Sequence, residues 1–342
     1  APHNWSVFND WKQENPDVQQ YFCDVLKYWI ETYKVDGYRF DLAKGLGASN
    51  SYSSDYDAGR YNSSRIEIMK KYTDAIKAAN PNAHAIFEYF VDGSEEDAMA
   101  NYGGLSWNKQ TNNFINAAVG NSSGSSFAGM NAYGKVGYME SHDEERLGYS
   151  ASQSSVTSIK SLSNRLKRLG SLAAFMILSP GAKMIWQFGE LGYDISGGNG
   201  DTSEKDSPWG WIDENLSSDD FKYAKARVGL LTSYQELLSI RRHNSDLFDV
   251  ANQFDTSKFS WSVSDANWSN GRFITLRNSA GTKEMVVAMN PGTKKATFNY
   301  TFDKPNGTYY IKCINSNYKF ACIFIDSFNL VVLQIQKKRK VL

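Results

Sequence analysis

Three acidic residues occupy positions where a carboxylate could do chemistry. Asp41 closes the run Val35-Asp36-Gly37-Tyr38-Arg39-Phe40, Glu88 follows Ile86-Phe87, and the pair His142-Asp143 comes just after Met139-Glu140. Each lies at the end of a segment that reads as a β-strand. In a parallel sheet built from βα units the strand C-termini open on one face, and ligands bind there. Acids separated by 47 and 55 residues in the sequence are therefore expected to converge in space. Like charges held together raise one another's pKa, a cost that makes sense where it is used. Hydrolysis of a glycosidic bond uses it: one carboxylate attacks while a protonated carboxyl donates to the leaving oxygen.

Plainer readings exist for each residue. Asp41 at a strand end could simply cap the following loop, and Asp36-Gly37 reads as a turn into the strand. Glu144 and Glu145 look like an acidic helix start, favoured at that end of the helix dipole, and a lone His-Asp pair is weak evidence. Glu88 is the hardest to dismiss, because a carboxyl inside an apolar strand needs a partner or a task. Other chemistries fit poorly. Four histidines (His3, His84, His142, His243) show no metal-binding spacing, and no Gly-x-Ser-x-Gly elbow or Gly-rich phosphate loop occurs.

The elements that must position these acids are legible in the hydrophobic pattern. Asn15-Pro16 reads as an N-cap and first helical residue, and apolar residues from Val18 to Tyr33 recur at helical spacing. A strand over 35–41 is followed by a polar loop to about Ser64, a helix from Arg65 to Ala79 and a strand from Ala83 to Tyr89. Helix over 95–101, strand over 104–107 and helix over 109–119 come next. The flexible stretch Gly120 to Ser126 leads to a strand over 136–140, a long helix from about Val156 to Leu178, a strand over 182–187 and a last helix over about 220–242. Such alternation predicts a parallel sheet. After His243 the segments 259–263, 272–277, 284–290, 297–302 and 308–313 read as short strands between turns, an antiparallel, sandwich-like domain. From Tyr318 the chain is apolar with little alternation, and it ends in a basic tail at Lys337-Lys338-Arg339-Lys340.

The 342 residues carry 37 Lys+Arg against 37 Asp+Glu. Zero net charge leaves no electrostatic footprint for nucleic acid or an anionic membrane. No apolar run approaches the roughly 18 residues of a membrane span, and Ala1 to Trp5 show no signal-peptide pattern. Cys23, on the apolar stripe of a helix, reads as a buried free thiol, whereas Cys313 and Cys322 could pair across strands. The 48 aromatic residues (Trp 9, Tyr 20, Phe 19) suit sugar rings or apolar cores alike.

Three segments, VDGYRFDLAKG (35–45), IFEYF (86–90) and YMESHDEER (138–146), resemble in order the second, third and fourth signature regions of the α-amylase family. MIWQFGELGYD (184–194) is similar to that family's eighth strand and its loop. The resemblance implies an α/β fold: a partial TIM (β/α)8 barrel, about strands four to eight, over residues 1–243, then an antiparallel β-sandwich over 244–342. It implies retaining hydrolysis of α-1,4-glucosidic bonds in starch-like glucans. By position, Asp41 would be the nucleophile, Glu88 the general acid/base and Asp143 the stabiliser of the oxocarbenium-like transition state. His142 would hydrogen-bond the sugar, Arg39 would keep Asp41 ionised, and Lys44 would reach a sugar on the leaving-group side. Glu88 would have to stay protonated near neutral pH, with a carboxyl pKa of about 6.

The family's first signature region, an Asp and a His on the third strand, has no counterpart here. Neither does the excursion domain that often binds calcium, and Gly45 replaces a His frequent in calcium-dependent members. No cofactor is therefore evident, and calcium is implied for a longer parent alone. At about 42 residues per βα unit, three missing units would add on the order of 120 residues upstream. Five strands cannot close a barrel. The chain is therefore expected to be a C-terminal piece with little or no activity alone, from an extracytoplasmic parent acting on an α-glucan. Two other readings stay open: a transglycosylase of the same family, and a non-catalytic carbohydrate-binding relative. Oligomeric state is not legible.

Overall fold

Asn15 starts the first helix, α1 (Pro16–Tyr33), as the sequence pattern predicts: its side chain accepts the Asp17 N–H at 2.9 Å while Pro16 presets the first turn. The chain then enters β1 (Gly37–Phe40), which pairs in parallel with β2 (His84–Phe87). Gly37 lies opposite His84 with φ 148°, and a Cβ there would come within 2.2 Å of the His84 carbonyl oxygen. Glycine is thus required where the two strands begin. The computed structural model describes residues 9, 11–47, 53–121, 127, 134–196, 207–213, 218–248, 259–263, 272–290, 292–293, 306–314 and 321–329.

The expected polar loop before Ser64 contains a 3-10 turn (Ala43–Leu46) and a short helix, α2 (Asp55–Ala58). Then come α3 (Ser63–Ala79), α4 (Gly93–Tyr102) after β2, and β3 (Leu105–Lys109), which is parallel to β2. These elements belong to one of two compact units, Ala1–Asn108 with Ala132–Val136. Its core joins Cys23, Leu26 and Ile30 of α1 to Ile66, Met69, Tyr72 and Ile76 of α3 and to Ala85, Phe87 and Tyr89. Cys23 is a buried free thiol whose pKa burial pushes up.

The second unit covers Lys109–Asn131 and Gly137–Leu342. It contains α5 (Thr111–Val119), half of β4 (Lys135–Tyr138), α6 (Leu147–Ser152), α7 (Thr157–Lys160), α8 (Leu162–Ile177), β5 (Ala182–Lys183), α9 (Ser218–His243) and α10 (Ser245–Phe248). The single helix expected over 156–178 is interrupted. Ser161 adopts an extended conformation (φ −64°, ψ 133°), and the carbonyls freed there are taken up by side chains. Asn164 Nδ2 donates to Ser158 O at 2.9 Å, and Arg165 Nη1 donates to Lys160 O at 2.6 Å. The expected strand over 182–187 is ladder-paired at two residues, with Met184 N–H still donating to Gly137 O at 3.0 Å. Together β1 to β5 form a five-stranded parallel sheet in chain order.

Beyond His243 the described strands are β6 (Phe259–Val263), β7 (Arg272–Asn278), β8 (Glu284–Met289), β9 (Asn306–Ile314) and β10 (Ala321–Asn329). They make one antiparallel sheet in the order β6-β7-β8-β10-β9. A second sheet facing it is not found among the described residues. β10 falls where the sequence reading expected an unpatterned tail. It pairs with β8 on one side and β9 on the other, and the register sets Cys313 opposite Cys322. The segment 297–302, most of Gly120 to Ser126 and the basic tail lie outside the described residues.

Candidate active site

Asp41 is the first residue past β1, and Arg39, two residues earlier on the same strand face, reaches back to it. Arg39 Nη1 donates to Asp41 Oδ1 at 2.8 Å, and its Nη2 stands 3.3 Å from Glu88 Oε2. One guanidinium thus touches both carboxylates, with its carbon 5.1 Å from the centre of the Trp107 ring. Glu88 sits one residue past β2 and is tied three times to the chain on either side of Asp41, once before it and twice after it. Its Oε2 accepts the Leu42 N–H at 2.9 Å, its N–H donates to Phe40 O at 3.0 Å, and its O accepts the Ala43 N–H at 2.8 Å. The side chain of Asp41 is 75% exposed and that of Glu88 13%. One carboxylate thus faces solvent beside another that is largely buried. Leu42 (φ 42°) and Phe90 (φ 39°) both hold left-handed backbone. Such conformations cost a non-glycine residue about 1–3 kcal/mol and gather at functional sites.

Lys44 is placed differently from the sequence expectation. It is buried in the turn after Asp41, and its ammonium pairs with Asp55. Below that turn lies a network that sequence reasoning missed. Arg65 and Glu95 have side chains with no solvent exposure and form a bidentate pair, Nε to Oε1 at 2.6 Å and Nη2 to Oε2 at 2.7 Å. Arg65 Nη1 also donates to Lys44 O and Ala58 O, each at 2.7 Å, and Nη2 donates to Arg60 O at 3.0 Å. Glu95 Oε2 accepts the Asn62 N–H at 2.9 Å. Arg65 therefore divides its donors between the Glu95 carboxylate and three backbone carbonyls of the chain that follows Asp41.

In the second unit, His142 and Asp143 lie in the loop after β4, with His142 Nε2 3.4 Å from Asp143 Oδ1 and both side chains nearly half exposed. The Asp143 N–H donates to Ser141 Oγ at 3.2 Å, and Ser141 Oγ hydrogen-bonds Glu144. Glu144 in turn pairs with Lys109 Nζ at 2.9 Å. Glu144 thus fixes the loop carrying Asp143 rather than starting a helix. The His142 ring lies 5.8 Å from that of Trp186. Glu140 is buried; its Oε1 stands 3.2 Å from Arg146 Nη2 and its Oε2 accepts the Leu147 N–H at 2.8 Å. Arg146 Nη2 also donates to Gln187 O at 2.6 Å, which ties the loop after β5 to the loop after β4. The argument that a carboxyl beside an apolar strand needs a partner applies to Glu140 as to Glu88. Applied there, it would have singled Glu140 out.

Burial raises the Glu140 pKa above the ordinary carboxyl value, with Arg146 opposing the shift. A raised folded-state pKa means that the folded chain binds the proton more tightly than the unfolded chain. The Glu140 contribution is then complete below the unfolded carboxyl pKa and is lost as pH rises through the folded value. Thermal midpoints of the wild type and Glu140→Gln, measured across that range, should converge or invert as pH rises. A constant difference would remove Glu140 as the titrating group.

Asp41, Glu88 and Arg39 are thus in contact within one unit and His142 with Asp143 within the other, while Lys44 is turned inward. Among the described residues no group of three or more His, Cys, Asp or Glu could hold a metal ion. Gly45 offers no side-chain ligand at that turn. No helix among the described residues is long and apolar enough to cross a membrane.

The fold is shared with known proteins. In solved structures, the chain aligns with a pullulanase from Klebsiella pneumoniae at TM-score 0.61 and 13% identity, over 96% of this chain and 47% of that one. It aligns with an α-amylase from H. orenii at TM-score 0.60 and 16% identity, over 94% and 67%. A curated glycogen debranching enzyme of Salmonella paratyphi A is 44% identical over 54 residues, which is 16% of this chain and 8% of that protein. The family model of the α-amylase catalytic domain matches residues 4–225. The chain belongs to the α-amylase family.

Proposed function

We propose that this chain carries the catalytic carboxylates of a retaining glycosidase acting on α-1,4-linked glucose in starch-like glucans. The observation that carries the reading is the shared contact of Arg39 with Asp41 and Glu88, with Glu88 pinned to the turn that follows Asp41. Asp41 attacks the anomeric carbon as the glycosidic C–O bond breaks, and Glu88 gives its proton to the departing oxygen. Arg39 holds the Asp41 carboxylate in place through its Nη1 hydrogen bond. In the second step Glu88 takes a proton from water, and the resulting hydroxide displaces Asp41 from the covalent glycosyl-enzyme. Asp143 offers negative charge to the oxocarbenium-like transition state, and His142 hydrogen-bonds the sugar beside it. A sugar hydroxyl in place of water would make the same chemistry a transglycosylation, which product analysis distinguishes.

Turnover needs the remaining strands of an eight-stranded barrel, since five parallel strands are described here. Reducing ends released from soluble starch should be few with this chain and many with a version carrying further barrel strands ahead of Ala1. No release from either form would overturn the reading.

A further inference from the structure

The loop after β5 gathers five aromatic residues in the second unit, and four of them are well supported. Trp186 lies beside His142. Phe188 stacks on Tyr193 at 6.4 Å, Tyr193 stacks on Trp211 at 5.5 Å, and Arg227 lies 3.9 Å from the centre of the Trp211 ring. The fifth, Trp209, sits in a 3-10 turn (Pro208–Ile212) and meets Phe188 nearly perpendicular, with ring centres 5.0 Å apart. Its indole remains 67% exposed. A large apolar ring held in place yet left open to water forgoes the stabilisation of burial.

Its support is anchored to the site. Phe188 keeps a left-handed backbone (φ 67°) two residues after Trp186. Arg146 holds the Gln187 carbonyl between them, and Ser196 Oγ donates to Glu145 Oε2 at 2.7 Å, a second tie between the same two loops. Trp209 is therefore carried on a braced rim that begins at His142. We propose that Trp209 is a substrate-binding residue, a stacking platform for a glucose unit of an α-glucan beyond the unit held at His142 and Asp143. An indole is suited to this: its flat apolar face covers the C–H face of a pyranose, and its edge N–H donates to a hydroxyl. The chain has no net charge to offer a neutral sugar, so stacking and hydrogen bonds must supply the affinity.

The inference rests on the glucan reading above and is separable from it. Migration of the 342-residue chain is compared in native gels with and without soluble starch, with a β-linked glucan gel as control. The wild type should be retarded by starch alone. Trp209→Ala should weaken retardation at least tenfold, and Trp209→Phe should retain part of it. Because the residue is exposed, the thermal midpoint of Trp209→Ala should match the wild type, which separates lost binding from lost fold. Equal retardation of wild type and Trp209→Ala would overturn this assignment while leaving the glucan reading intact. No retardation of the wild type by starch would also overturn it, while the glucan reading stands or falls on the starch-hydrolysis comparison above.

Discussion

Glu88→Gln lowers kcat on starch by roughly 10²–10⁴-fold in the starch-hydrolysing form of the enzyme, the usual contribution of a positioned general acid. The amide keeps the shape and can still accept the Leu42 N–H, so substrate binding changes little. The loss should shrink sharply on a glucoside whose leaving group needs no protonation, because that substrate departs unaided. Asp41→Asn behaves differently. It removes the attacking carboxylate, so no activated leaving group restores turnover, and no glycosylated enzyme appears by mass spectrometry. The two variants therefore form a diagnostic pair. If both are rescued by the activated substrate, or neither is, the assignment of acid and nucleophile fails.

Arg65→Met destabilises the fold by about 3–5 kcal/mol, the cost of leaving one partner of a buried ion pair unmatched. The Glu95 carboxylate would lie in the interior with the Asn62 N–H but without its two guanidinium bonds. The Lys44, Ala58 and Arg60 carbonyls would lose their donors as well. Replacing both members, as Arg65→Met with Glu95→Leu, should recover part of the loss, since an apolar pair carries no buried charge. Urea unfolding midpoints of the two variants test this. A loss below about 1 kcal/mol in the single variant, the range of an exposed pair, would show that the pair is not buried in solution.

The legible part of the structure was the part written in local patterns. Asn15-Pro16 and the 3.6-residue period announced α1, and the acids at strand ends pointed to Asp41 and Glu88, which share the Arg39 guanidinium. Less local features did not show. Arg65 looks like any polar residue early in a helix, and its partner Glu95 is 30 residues away on another helix. Lys44, in a polar stretch, reads as solvent-facing until Asp55 is seen to fold over it. Ser161 breaks a helix that periodicity alone would continue, because side chains capture the freed carbonyls. β10 lacks the alternation that identifies strands with one wet face, and it is paired along both edges.

The strained backbone and the required glycine lie at opposite ends of the same strands. Gly37, at the entrance to β1, has no room for a side chain against His84, so that end tolerates change poorly for reasons of folding alone. Leu42 and Phe90, past the exits of β1 and β2, are held in geometry that a glycine would adopt more easily. The strand entrances are where the molecule keeps its robustness, and the exits are where it gives some of that robustness up. Sequence drift that relaxes the exits would produce sturdier proteins with slower chemistry. An activity-blind selection for heat resistance would tend to erase the exits first.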